Sequence, residues 1–172
     1  DTAGSMETYS SINVHHNSYG SGCSLAEVEV DIETGQVKLL SLMNVHDSGK
    51  IINPLLASGH VDGGMAMSAA YGLNEELLYN KAGKPLNNNM LDYKLPTAMD
   101  LPDLEGLFVE SQDPLGPYGN KALGENPDVS PAPAIRNAVK NAIGVGIDKI
   151  PLTPELVYNQ YQAAQKAAKG DL

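Results

Sequence analysis

Residues 116–127 are predicted to form a loop that contains three glycines and, near its end, a single carboxylate, Glu125. Glycine lets a backbone come close to another body or adopt angles that a side chain would forbid. A carboxylate fixed in such a loop is a candidate general base, because it can accept a proton from a reacting group. The alternative is a surface turn with an exposed glutamate, which is the commoner outcome for a sequence of this kind.

Two further residues could add polar contacts near Glu125. Lys121 lies four residues before Glu125 and could hold an anionic group or be an ordinary surface lysine. His60 lies in a predicted helix with several glycines, among them Gly59. Each glycine costs a helix about 1 kcal/mol relative to alanine, so the glycines require a reason. Close approach of a ligand and tight packing within the protein both remain open.

Other catalytic and metal-binding patterns are weak. His15-His16 and His46-Asp47 are adjacent pairs, and neighbours on a strand point to opposite faces, so the sequence predicts no metal site of protein ligands. The one cysteine, Cys23, cannot form an internal disulfide or hold an iron–sulfur cluster alone. With no obvious basic partner, it is predicted to be a small buried side chain rather than a nucleophile.

Composition excludes several functional classes. The chain has 172 residues, of which 42% are hydrophobic, which suits one domain or one lobe of a larger assembly. A net charge of −10 argues against nucleic acid or an anionic membrane as the main partner. The sequence contains no apolar run of the ~18–20 residues that a membrane span needs. A cytoplasmic location is the default expectation, and the initial Asp1 indicates processing or a piece of something longer.

Hydrophobic periodicity and capping signals predict the elements that would position these residues. The predicted elements are strands at 25–32 and 37–47, a helix at 54–79, strands at 87–94 and 104–112, and helices at 131–143 and 154–169. Strands and helices do not alternate regularly, which favours an α+β fold with a mixed, largely antiparallel sheet and about three helices. Residues 24–170 form this lobe, and residues 1–23 are expected to lie extended across a partner.

Ordered motifs cover residues 18–157, nearly the whole chain. They read Ser18-Tyr19-Gly20-Ser21-Gly22-Cys23, Ala26-Glu27-Val28-Glu29-Val30-Asp31, Asp47-Ser48-Gly49-Lys50-Ile51-Ile52-Asn53-Pro54, Gly59-His60-Val61-Asp62-Gly63-Gly64, Asp92-Tyr93-Lys94-Leu95-Pro96 and Lys121-Ala122-Leu123-Gly124-Glu125. In order and spacing they resemble the xanthine dehydrogenase and aldehyde oxidase family of molybdenum hydroxylases. The resemblance implies that residues 1–172 are the C-terminal portion of the molybdopterin-binding domain.

The resemblance also implies roles for particular residues. Glu125 matches the family's catalytic glutamate, which takes a proton from a water-derived oxygen at molybdenum. Gly59, His60, Lys121 and Gly124 match its cofactor-binding motifs. The family commonly has glutamine where His60 stands, and a histidine can donate one hydrogen bond and accept another.

The cofactor implied is molybdenum–molybdopterin, either as such or as its cytosine dinucleotide, with iron–sulfur clusters and FAD on partner subunits or domains. The remaining molybdopterin-binding part, an iron–sulfur subunit and an FAD subunit are the implied partners. The implied reaction inserts water-derived oxygen at an electron-poor carbon of a purine or other N-heterocycle, and nicotinate-type and aldehyde substrates are alternatives. The alternative to an enzyme is a non-catalytic scaffold domain of the same fold. A domain that had lost the chemistry would not need a carboxylate at Glu125, so the presence of Glu125 favours the enzyme.

Overall fold

The computed structural model describes residues 18–170, which begin with the predicted hairpin. Strand β1 spans Ser21–Val30 and strand β2 spans Val37–Asp47. The two strands pair antiparallel, with one register shift in β1 between Glu27 and Val28.

A third strand makes the sheet mixed. Strand β3 spans Leu104–Phe108 and pairs parallel with β2, so the strand order is β1-β2-β3. Parallel strands need a long crossover connection, and here it contains helix α1, Pro54–Leu73, and the irregular segment 74–103. The prediction of an α+β fold with a mixed sheet is confirmed.

In the described residues, three more α-helices follow β3, after a short 3-10 helix at Pro117–Gly119. The single-turn helix α2 spans Asn126–Val129, α3 spans Pro131–Ile143 and α4 spans Pro154–Lys169. A proline opens α1, α3 and α4. Proline is tolerated at this position because the first backbone N–H groups of a helix have no partner within the helix. The side chains of Asn53 and Thr153 cap α1 and α4 by accepting a hydrogen bond from a backbone N–H in the first turn.

The core lies between one face of the sheet and the helices. Helix α3 packs on β1, and α1 packs on both β3 and α3. The fully buried side chains come from every layer, and the largest apolar ones are Leu42, Val61, Met65, Ile135, Val139, Leu152 and Val157. Within residues 18–170, no helix has the length and apolar character that a membrane span requires.

The predicted strand at 87–94 is wrong. This segment consists of turns, because asparagine side chains bind nearby backbone groups in place of a strand ladder. Asn87 accepts a hydrogen bond from Leu78 N, and Asn89 accepts from Leu91 N and Asp92 N. The run of asparagines is thus a turn signal that outweighs the apolar residues around it.

Several boundaries also differ from prediction. Helix α1 ends at Leu73 rather than near residue 79, and β3 ends at Phe108 because its partner β2 ends at Asp47. At the other end, β1 begins at Ser21, which pairs with Asp47, so the last residues of the predicted extended segment belong to the sheet. Residues 1–17 of that segment, with His15 and His16, lie outside the described residues.

Cys23 is exposed, so the prediction that it is a buried side chain is wrong. The reason is the strand period. Ala26, Val28 and Val30 pack against the core, whereas Cys23 falls on the opposite face of β1.

His46 is fully buried near the end of β2, and neither ring nitrogen has a hydrogen-bond partner among the described residues. Burial lowers the pKa of His46 below its usual value of 6.5. A folded-state pKa below the unfolded value means that the stability contributed by neutral His46 is present above about pH 6.5 and is lost as the pH falls below it.

We therefore expect the thermal midpoint of the chain to fall between about pH 7.5 and about pH 5, and His46→Leu to lose less over the same interval. Leucine fills this part of the core with an apolar side chain and has no group to protonate. Circular dichroism melts of both proteins at the two pH values measure the difference. Equal losses would assign the pH dependence to other groups.

Candidate active site

Glu125 lies directly before α2, and its side chain is exposed on the surface of this chain. Gly124, the preceding residue, has a φ of 22°, in the region that favours glycine. Helix α2 then begins at once, so the direction in which Glu125 leaves the backbone depends on how firmly this helix and the preceding loop are held.

Side chains from β2 and α1 hold α2 through its backbone carbonyls. The buried Asn44 donates from Nδ2 to the carbonyl oxygen of Pro127 at 3.0 Å. The Tyr71 hydroxyl donates to the carbonyl oxygen of Asp128 at 2.7 Å. Asp128 N in turn donates to the carbonyl oxygen of Glu125 at 3.0 Å, which closes the helical turn. The segment immediately after Glu125 is therefore fixed to the core.

The glycines of α1 divide into two kinds. A Cβ at Gly64 would lie 2.6 Å from Cβ of Pro127, and a Cβ at Gly72 would lie 3.2 Å from Cβ of Ala132. These two glycines serve close packing against α2 and α3. A Cβ at Gly59 or Gly63 would meet no atom within 4 Å, so these positions face open space. Tight packing, one of the two explanations left open by the sequence, thus accounts for Gly64 and Gly72, and close approach of a ligand stays a prediction for Gly59 and Gly63.

His60 joins α1 to the loop at residues 116–125, which we call the Glu125 loop. Its Nε2 lies 2.6 Å from the carbonyl oxygen of Gly124, so the tautomer with hydrogen on Nε2 donates to that oxygen. The ring of His60 therefore contacts the backbone directly before Glu125. His60, Gly59, Gly63, Gly124 and Glu125 line one concave surface, together with Gly64, Met67 and Asp128.

Asp128 adds a second carboxyl group to this concavity. Its Oδ1 is buried and has no hydrogen-bond partner among the described residues. Burial raises the pKa of Asp128, and the nearby negative charge of Glu125 raises it further. An acceptor atom that is withdrawn from water and left without a donor costs about 1–3 kcal/mol, so Asp128 Oδ1 is suited to a donor supplied from outside the chain.

Lys121 does not line this concavity. Its ammonium group lies 2.9 Å from Oδ2 of Asp47, at the end of β2, and its side chain is 16% exposed. Asp47 Oδ1 accepts two more hydrogen bonds, from Ser111 Oγ at 2.7 Å and from Gly49 N at 3.0 Å. These interactions, with that of Lys121 foremost, lower the pKa of Asp47 to about 2. The ammonium group of Lys121 thus forms an ion pair within the chain.

Of the five residues predicted from sequence, four meet at the concavity: Gly59, His60, Gly124 and Glu125. Sequence reasoning missed Asp128, which lies one helical turn after Glu125, and Asp47, whose link to Lys121 spans 74 residues. The position of Asp128 relative to Glu125 was a usable signal, since residues three apart in a helical turn share a face. In the described part of the chain, no group of three or more His, Cys, Asp or Glu side chains is placed to hold a metal ion.

Comparison with known proteins identifies the family. Residues 3–102 match the model of the molybdopterin cofactor-binding domain. The chain belongs to this family, within the molybdenum hydroxylases, as the ordered motifs indicated. Over 165 residues it is 46% identical to the xanthine dehydrogenase molybdenum-binding subunit of Escherichia coli O157:H7, an alignment that covers 95% of this chain and 22% of that subunit.

Solved structures agree with this assignment. Quinoline 2-oxidoreductase from Pseudomonas putida 86 matches 78% of this chain with a TM-score of 0.75 and 33% identity, over 18% of its own length. Aldehyde oxidoreductase from Desulfovibrio gigas matches 83% of this chain with a TM-score of 0.76 and 31% identity, over 15% of its length. The chain therefore spans about a fifth of the length of the proteins that it resembles.

Proposed function

We propose that this chain supplies one wall of the molybdenum site of a hydroxylase that acts on purines or other N-heterocycles, with Glu125 as the general base. The observation that carries the proposal is the meeting of Glu125 and Gly124 with the glycine face of α1 at one concave surface. These groups are far apart in sequence, and His60 connects them directly.

The residues fit a molybdopterin cofactor in two respects. Gly59 and Gly63 leave open space beside α1, where a flat ring system could approach the helix backbone. The unpartnered Oδ1 of Asp128 and the second ring nitrogen of His60 are acceptors to which the N–H groups of a pterin could donate. Gly59, His60, Gly124 and Asp128 are thus the residues that would hold the cofactor.

The proposed division of chemistry is simple. When bound, the cofactor supplies the two-electron oxidation of the substrate. Replacing a C–H bond by C–OH with oxygen from water releases two protons and two electrons. Glu125 accepts the first of those protons at its carboxylate, which leaves the oxygen more nucleophilic. The anchored α2 keeps that carboxylate directed into the concavity, so no reorganisation is needed when the proton moves.

The proposed partners rest on the family resemblance and on the share of the relatives that this chain spans. The rest of the molybdopterin-binding portion supplies the opposite wall, and an iron–sulfur subunit and an FAD subunit carry the electrons away in the cytoplasm. A nicotinate-type or aldehyde substrate is the alternative within the same family. Neither substrate class is distinguished by the side chains on this wall, which offers a carboxylate and a glycine surface to any of them.

The proposal is tested on the purified complex that contains this chain. Metal and pterin analysis should find about one molybdenum and one pterin per chain. The substrates xanthine, hypoxanthine, nicotinate and an aromatic aldehyde are then mixed with the oxidised complex one at a time, and reduction of the metal is followed by absorbance. Fastest reduction by xanthine or hypoxanthine supports a xanthine dehydrogenase-like enzyme, and fastest reduction by nicotinate or the aldehyde supports the nicotinate-type or aldehyde-oxidising alternative. A complex without molybdenum would favour a scaffold.

His60→Ala should lower cofactor occupancy in this complex. The substitution removes the bond to Gly124 and the polar group beside the glycine face. Loss of one hydrogen bond corresponds to roughly 0.5–1.5 kcal/mol, so cofactor affinity should weaken by about 2- to 10-fold. Molybdenum content after dialysis measures the effect. His60→Gln, which keeps a side-chain N–H donor, is the matched control and should retain most of the metal. Equal occupancy in all three proteins would show that His60 is not a cofactor contact.

A further inference from the structure

Asp47 joins three separate segments of the chain. It ends β2, and its carboxylate binds Gly49 N in the following turn, Ser111 Oγ beyond β3 and Lys121 Nζ in the loop before Glu125. Asp47 and Lys121 are 25% and 16% exposed, so water screens their pairing only in part. With its pKa at about 2, Asp47 is ionised throughout the pH range in which proteins are active.

Main-chain bonds extend the same junction. Lys121 N donates to the carbonyl oxygen of Ser48 at 2.8 Å, and Lys50 N donates to that of Gly119 at 3.0 Å. Gly49 and Asn120 form an isolated antiparallel bridge between them. A Cβ at Gly49 would collide with the carbonyl oxygen of Gly119, so the two backbones touch. The loop before Glu125 is therefore seated on the end of β2.

The two sides of Glu125 are held by different means. On the downstream side, Asn44 and Tyr71 bind the backbone of α2. On the upstream side, the described contacts include the Asp47–Lys121 ion pair, the main-chain bond from Lys121 N to Ser48, the packing of Leu123 against the core and the bond from His60 to Gly124. Loss of the ion pair would leave the main-chain bonds, Leu123 and His60 in place, so it would loosen the upstream side without releasing it, while α2 stays in position.

We propose that Asp47 and Lys121 act as a positioning pair, which fixes the upstream side of the Glu125 loop so that the carboxylate points into the concavity. This inference rests on the proposed function, since it assigns Lys121 to Glu125 rather than to the cofactor. Lys121 touches neither substrate nor cofactor in this role, and its effect on rate passes through Glu125. A displacement of about 1 Å at a reacting group can cost about 100-fold in rate.

The test uses the assembled complex and four proteins: wild type, Lys121→Met, Glu125→Gln and the double variant. Lys121→Met should slow single-turnover reduction of molybdenum by about 10- to 100-fold, with molybdenum content unchanged. In the Glu125→Gln background the same substitution should cause no further loss, because a residue that acts through Glu125 has nothing left to position. Lys121→Arg, which keeps the charge, should recover part of the rate. Lys81→Met, at an exposed lysine in a turn, is the control and should match wild type.

A second readout does not depend on catalysis. Hydrogen exchange of the peptide covering residues 116–125 should be faster in Lys121→Met than in wild type, with exchange in α3 unchanged. If Lys121→Met fails to assemble, Ser111→Ala removes a different bond to Asp47 and should slow reduction in the wild-type background alone.

The possible outcomes separate the inference from the proposal on which it rests. Equal slowing by Lys121→Met in both backgrounds, or lost molybdenum, would overturn the positioning role and favour a direct contact with cofactor or substrate. An unchanged rate in Lys121→Met would also overturn it. An unchanged rate in Glu125→Gln would instead defeat the assignment of the general base.

Discussion

Glu125→Gln is expected to slow the reduction of molybdenum by substrate by about 10²–10⁴-fold, or roughly 3–5 kcal/mol of barrier. Glutamine keeps the size of the side chain and some of its hydrogen bonding but cannot accept a proton. The anchors of α2 bind backbone carbonyls, so they do not depend on the residue at 125. Single-turnover absorbance measurements on the assembled complex, with molybdenum content determined in parallel, give the rate per bound metal.

The choice of control for this variant follows from the fold. Glu110 accepts a hydrogen bond from Ile51 N at 3.1 Å, so its substitution would disturb a loop. Glu105 is exposed on β3 and makes no such bond, which makes Glu105→Gln the better control. It should reduce at the wild-type rate. If Glu125→Gln does so too, the Glu125 loop is structural and another group removes the proton.

Gly63→Ala and Gly64→Ala, at adjacent positions on α1, are expected to have opposite effects on stability. A methyl group at Gly64 would collide with Pro127 and press on backbone atoms of α2, and overpacking of this kind typically costs about 1–3 kcal/mol. A methyl group at Gly63 meets open space and removes a helix glycine, which should stabilise the cofactor-free chain by up to about 1 kcal/mol. Chemical denaturation of the two variants measures both effects.

The same pair separates folding from cofactor binding. In the assembled complex, Gly63→Ala should lower molybdenum and pterin content even though it stabilises the chain, because the methyl group occupies space beside the helix that the cofactor needs. Gly59→Ala should act in the same direction. Full occupancy in Gly63→Ala would show that the cofactor does not approach this face of α1.

Local signals predicted the parts of the fold that depend on neighbouring residues. The caps at Asn53 and Thr153 and the glycines after α3 and α4 are set by short-range backbone chemistry, and the helices begin and end there. The strand at 87–94 failed because asparagine side chains supply an alternative partner for the backbone, and that preference outweighs apolar content.

The candidate site was predictable only in part, because some of its contacts join residues that are far apart in the sequence. Glu125, Gly124 and the α1 glycines lie in compact motifs. The resemblance of these motifs to those of the family was enough to assign them to one site. The sequence could not assign the four α1 glycines to packing or to open space, because that depends on Pro127 and Ala132. It also could not pair Lys121 with Asp47, since nothing local distinguishes that lysine from an ordinary surface lysine.

The way in which α2 is anchored affects how freely its sequence can change. Asn44 and Tyr71 bind the carbonyl oxygens of Pro127 and Asp128, and a carbonyl is present whichever side chain the residue carries. The exposed Val129 can therefore be replaced without loosening α2. Replacement of Asp128 would also leave the backbone bonds of α2 intact, but it would remove a proposed cofactor contact. Random libraries at these two positions should yield mostly folded proteins. The contacts of the Asp128 side chain can thus be altered separately from the position of Glu125, because the bonds that hold α2 do not pass through that side chain.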